Sequence, residues 1–269
     1  MKHLSLKFLS CIAIPFLLGA NPLMANASKY LATAPNAKVT DEAWREALPF
    51  LLPEEFEIKE KLDELFNETR AILNSSSLKL AGFTTSKPQE FSLIVVTKHP
   101  NFPGYIFKIY LDNEKQKSDN KALGYFIKRV KGSIAVQKCI DENHLDAFFK
   151  VPKKWIYPMP SYEGQVKKYS HKNFILVVED MEILSAKANV KAWRSSMVTK
   201  ELLVGLHRIL TEVGLVDCAK IDNIPFSIDG RVAFVDTESF GFPKVPLGRL
   251  KEMLPSNLRS FWSKLIKAH

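Results

Sequence analysis

A chain of 269 residues with 38 Lys and Arg against 29 Asp and Glu carries a formal charge of +9, and 46% of its residues are hydrophobic. This excludes a disordered or fibrous chain and leaves room for one sizeable core or two lobes. The positive excess suits an acidic partner or plain solubility, because Lys and Glu are interspersed and no specific nucleic-acid motif stands out.

The first residues read as a secretory signal peptide. Lys2 and Lys7 make a basic start, Phe8 to Leu18 is apolar, and Ala25-Asn26-Ala27 is a small-residue cleavage pattern. The apolar stretch falls short of the roughly 20 residues that span a bilayer. The expectation is cleavage near Ala27, export to the periplasm or beyond, and no transmembrane segment in the mature chain. Of the three cysteines, Cys11 lies in the removed segment. Cys139 and Cys218 are either buried thiols or a disulfide. The histidines are scattered and have no zinc spacing.

Residues 28–40 form a small, polar lead-in. Asp41 is placed to cap a helix through Leu48. After Pro49 and Pro53 a second helix is expected from Glu54 to Leu73, ended by Asn74-Ser75-Ser76-Ser77. The period then changes. Leu93 to Thr97 and Tyr105 to Tyr110 are β-prone runs separated by the breakers His99 to Gly104, which predicts an antiparallel hairpin with Lys108 in its second strand.

Asp119 to Ile140 reads as a helix with Leu123, Phe126, Ile127, Val130, Ile134 and Val136 on its apolar side. Val151 to Pro158 is extended, because two prolines deny it a helix. Phe174 to Val178 is a buried strand ending in Glu179-Asp180-Met181. Trp193 to Val213 carries the strongest helical periodicity and stops at Gly214. Leu247 to Ala268 reads as a basic amphipathic helix.

Residues 214–241 are the most informative. Asn223 sits in a polar loop, Asp229-Gly230 makes a turn, and the apolar run Arg231 to Val235 ends abruptly in Asp236-Thr237-Glu238. A strand that delivers a carboxylate at its end, beside an amide from the preceding loop, is a way to hold a hard cation such as Mg²⁺, which keeps company with phosphates.

This order of elements resembles the protein kinase-like superfamily, aminoglycoside-phosphotransferase-type enzymes included. The resemblance covers roughly residues 90–242. It implies an α+β fold of two lobes, with an antiparallel N-lobe sheet, a reduced helical C-lobe and extra N-terminal helices. With the signal peptide at 1–27, the expected boundaries are 28–74 for the helical extension, 75–180 for the N-lobe and 181–269 for the C-lobe. The resemblance also implies Lys108 on the nucleotide phosphates, Glu179 and Met181 in the hinge beside adenine, and Asn223 and Asp236 on Mg²⁺.

The sequence departs from that pattern in instructive ways. Five positions before Asn223, where the family places its catalytic acid, stands Cys218, with Asp217 and Asp222 as displaced candidates. No glycine-rich run precedes Lys108, and Asp119 to Ile140 holds no Glu to pair with it. Two functions follow from the resemblance. One is a degenerate kinase-like protein, a pseudokinase, binding a nucleotide, another phosphate-bearing ligand or a protein partner with little or no catalysis. The other is an active atypical phosphotransferase using Mg-ATP, acting as a secreted effector.

Overall fold

The computed structural model describes residues 39–85, 93–114, 117–160 and 171–268. The signal-peptide reading and the 28–38 lead-in therefore lie outside the described residues.

The fold is mixed α+β. Helix α1 (Asp41–Ala47) is capped by Thr40, whose hydroxyl oxygen accepts from the Ala43 amide, so the cap lies one residue before the expected Asp41. A 3₁₀ turn, Leu48–Phe50, contains Pro49 and leads to α2 (Glu57–Glu68). Helix α2 is shorter than the predicted 54–73. Asn74 does not end it but starts a third helix, α3 (Ser75–Leu80), by accepting from the amides of Ser76 and Ser77. An Asn side chain suits a cap and a terminator equally on sequence grounds, and only the chain direction afterwards decides.

A five-stranded antiparallel sheet follows, in spatial order β1 (Thr84–Thr85), β2 (Ile94–Lys98), β3 (Tyr105–Tyr110), β6 (Phe174–Glu179), β5 (Lys154–Pro158). The expected hairpin is β2 with β3, with Val96 opposite Lys108. Side chains alternate across a strand. Phe107, Ile109, Ile175, Val177 and Tyr157 therefore face α2 and α3, where Leu62, Phe66 and Leu78 complete one core. Ile106, Tyr110, Leu176, Val178 and Ile156 face the opposite way, onto α1 and the long helix α4 (Asp119–Glu142). The same alternation puts Lys108 and Lys154 on the α4 side.

The C-terminal half of α4 continues into a third core with α5 (Ala186–Trp193), α6 (Lys200–Val213) and α7 (Ser256–Lys267). The helix predicted from Trp193 therefore starts late: Trp193 is the last residue of α5, and α6 begins at Lys200. Thr199 caps α6 through the Leu202 amide, and residues 194–199 turn the chain between them. The C-terminal segment is likewise broken by Pro255 into a 3₁₀ stretch, Leu247–Met253, and α7. Gly214 ends α6 with φ 69°, and a Cβ there would lie 2.5 Å from backbone atoms of Phe242, so glycine is required twice over. Beneath these helices β4 (Phe149–Lys150) pairs in parallel with β7 (Val232–Ala233), which is shorter than the expected 231–235. Cys139 and Cys218 are both buried free thiols, so the disulfide alternative drops out.

Candidate functional site

The two lysines on the α4 side of the sheet meet two carboxylates delivered from beyond β7. Lys108 Nζ donates to the Val235 carbonyl at 3.1 Å and lies 3.9 Å from Asp236 Oδ1. Lys154 Nζ donates to Thr237 Oγ1 at 2.7 Å. Helix α4 supplies a third cation. Arg129 Nε lies 3.4 Å from Asp236 Oδ1, and its Nη2 pairs with Glu238 Oε2. Thr237 completes the joint by donating to the Arg129 carbonyl at 2.8 Å.

The layers of this cluster differ in exposure. The side chains of Lys108 and Arg129 are 8% and 7% exposed, whereas those of Asp236 and Glu238 are 33% and 24% exposed. The cations are buried and the carboxylates are partly exposed, Asp236 with its Oδ1 turned inward. Burial pushes Lys108 down from its ordinary range, with Asp236 opposing that shift. Burial pushes Lys154 further down, helped by neighbouring Lys108. Burial alone would lower Arg129, but Asp236 and Glu238 outweigh it and hold it charged. Burial would raise Asp236, and Lys108 and Arg129 reverse the sign and keep it ionised. Glu238 is raised by burial, with Arg129 only partly offsetting this.

The 217–223 loop lies beside this cluster through its backbone. Val235 N donates to the Asn223 carbonyl at 3.1 Å, and Cys218 Sγ donates to the Asp236 carbonyl at 3.0 Å. The Asn223 amide donates to the Asp217 carbonyl at 2.9 Å. The Asp217 carboxylate accepts from Ser239 Oγ at 2.5 Å, and Asp222 is exposed. Helix α5 braces the same loop. Asn189 donates to Ile221 O and accepts from Phe226 N, and Trp193 Nε1 donates to Ile224 O.

At the end of β6, Glu179 N donates to Lys153 O and Asp180 N to Gly104 O, while Glu179 Oε2 accepts from the Lys153 amide at 2.8 Å. Two of the three amides in the expected hinge are therefore already engaged. Met181 is the one for which that role remains.

The donor set suits a divalent ion poorly. Asp236 Oδ1 is buried without a hydrogen bond, yet it faces two cations within 4 Å, and a metal on that oxygen would be repelled by both. Among the described residues no three His, Cys, Asp or Glu side chains are grouped to hold a metal. A cavity of about 540 Å³ lies behind the cluster, between α4 and the 151–155 segment. It is lined mainly by apolar groups such as Phe50, Ile134, Pro152 and Trp155.

The sequence pointed to Lys108, Asn223 and Asp236, and the structure brings Lys108 and Asp236 side by side. The reading did not single out Arg129, Lys154, Thr237 or Glu238 as acting together. Signals existed. Arg129 sits three residues after Phe126 and four before Ser133, all on the buried side of α4, and Lys154 alternates with buried Ile156. No protein-family model matches the chain, and no curated protein matches it significantly. Among the described residues no helix is long and apolar enough to cross a membrane.

Proposed function

We propose that this is an exported kinase-like protein with a degenerate catalytic set, which binds a nucleotide or another phosphate-bearing ligand beside Lys108 and Asp236 with little or no catalysis. The observation that carries the reading is the approach of Lys108, from β3, to Asp236, beyond β7, at 3.9 Å on the α4 face of an antiparallel sheet. In this reading Lys108 meets phosphate oxygens, and the base borders the end of β6, where the Met181 amide rather than the already engaged Glu179 would meet it. The degenerate character rests on Cys218. It is buried and bonded to the Asp236 backbone, and burial raises its thiol well above the ordinary range, so it does not serve as a base. A missing general base costs typically about 10²–10⁴ in rate.

A second reading is an active phosphotransferase, acting as a secreted effector. It rests on Asp217 and Asp222, the two acids of the loop that carries Asn223; Asp222 is exposed and the Asp217 carboxylate accepts from Ser239. In that reading Asp217 or Asp222 takes the acceptor proton, and Asn223 and Asp236 would have to hold Mg²⁺ against the two cations that face Asp236 Oδ1. The purified protein is incubated with ATP, and both thermal stability and phosphate release are followed. Stabilisation without release supports the first reading, release above background supports the second, and neither response removes both.

A further inference from the structure

The joint between the sheet, α4 and residues 236–238 gathers three buried cations against two partly exposed carboxylates. Lys108 and Arg129 reach it from a strand and a helix, and Lys154 stands one row of the sheet away. Arg129 is 6% exposed; its Nε lies 3.4 Å from Asp236 Oδ1 without a hydrogen bond, Tyr110 lies beside the guanidinium, and Nη1 has no partner with hydrogen-bond geometry. A buried guanidinium with unused donors is costly unless an anion completes it. In the ligand-free protein the counter-charge is Asp236 on one side and Glu238 on the other, and both are the exposed members of the cluster. Carboxylate and phosphate are recognised by the same planar fork of N–H groups, so either anion satisfies Arg129.

Resting on the reading above, we propose that this cation cluster binds the polyphosphate of its ligand without a divalent ion, the phosphates taking the place of Glu238 and Asp236 as counter-charge to Arg129. The two carboxylates are internal stand-ins for the ligand rather than metal ligands. Two consequences separate this from metal-bridged binding. Chelating divalent ions leaves binding intact, since free ATP carries more negative charge than its magnesium complex. Removing a carboxylate strengthens binding instead of abolishing it.

The test is a calorimetric titration of the purified protein with ATP, pyrophosphate and adenosine, each in EDTA and again in Mg²⁺. Wild type, Glu238→Gln, Asp236→Asn and Arg129→Gln are compared. ATP binding in EDTA at least as tight as in Mg²⁺, tightened by Glu238→Gln and lost in Arg129→Gln, is the expected result. Pyrophosphate binding alongside ATP assigns recognition to the phosphates, whereas binding by adenosine alone overturns the proposal. Should Arg129→Gln fail to fold, the variants of the partly exposed carboxylates still decide. Binding that requires Mg²⁺ and disappears in Asp236→Asn overturns the metal-free site while leaving the kinase-like reading in place. No binding of any of the three under either condition overturns both.

Discussion

The hydroxyl of Thr237 donates to the carbonyl of Arg129 at 2.8 Å, across 108 positions of sequence, and Thr237 is fully buried. This bond presses the segment after β7 against the middle of α4. It explains why one turn of that helix lacks a side chain. A Cβ on Gly132 would stand 1.9 Å from the Thr237 carbonyl oxygen. The ion pairs of Arg129 with Asp236 and Glu238 depend on this close approach.

Gly132→Ala is therefore expected to destabilise the protein although alanine favours helices. Backbone must move to admit the methyl, and overpacking costs about 1–3 kcal/mol, occasionally more. Urea denaturation measures it. A stability equal to or above wild type would show that α4 and Thr237 are not in contact.

A second joint lies at the other end of the sheet. Arg70 donates through Nε and Nη2 to both oxygens of Asp112, each at 2.8 Å, and Asp112, fully buried, also accepts from the Lys172 amide. Removing one partner of such a pair strands the other charge, so Asp112→Ala is expected to cost about 3–5 kcal/mol. The exposed Glu57–Lys61 pair at 3.4 Å is the control, and Glu57→Ala should cost less than about 0.5 kcal/mol. Similar losses from both variants in denaturant titrations would contradict the assignment of Asp112 to a buried pair.

Alkaline pH should weaken the fold through its buried acids. Burial and a hydrogen bond to Glu212 raise the Cys139 thiol from 9.0 to about 12. Its folded value exceeds its unfolded value, so its contribution is complete below pH 9.0 and is lost as pH rises toward about 12. Burial and the bond to Asp63 push Tyr157 up as well, adding to the same decline above its ordinary value of 10.0. Tm followed by circular dichroism over this range is expected to fall, and less steeply in Cys139→Ser. An unchanged slope in that variant would remove Cys139 from the account.

Much of the fold was legible because its signals are local. The runs at 94–98, 105–110 and 174–179 are β-branched or aromatic and are bounded by breakers, and α4 keeps its period for 24 residues. The misread boundaries are places where a polar residue serves two purposes, as Asn74 and Thr199 do when they cap a helix inside a stretch that reads as continuous or finished. In the site, Lys108 and Asp236 stood out because each occupies a marked place in a strand pattern. Arg129 and Lys154 did not. A buried cation is recognised by its counter-charges, and these come from residues 236–238, far along the chain.

The central claim is that phosphate is received at Lys108, where it approaches Asp236. The direct measurement is a calorimetric titration with ATP of wild type and Lys108→Met side by side, with the ATP recovered afterwards. The account predicts saturable binding by wild type, at least about tenfold weaker binding by the variant, equivalent to about 1.4 kcal/mol, and ATP recovered intact. Equal affinity in the two proteins, or no binding by wild type, would contradict it.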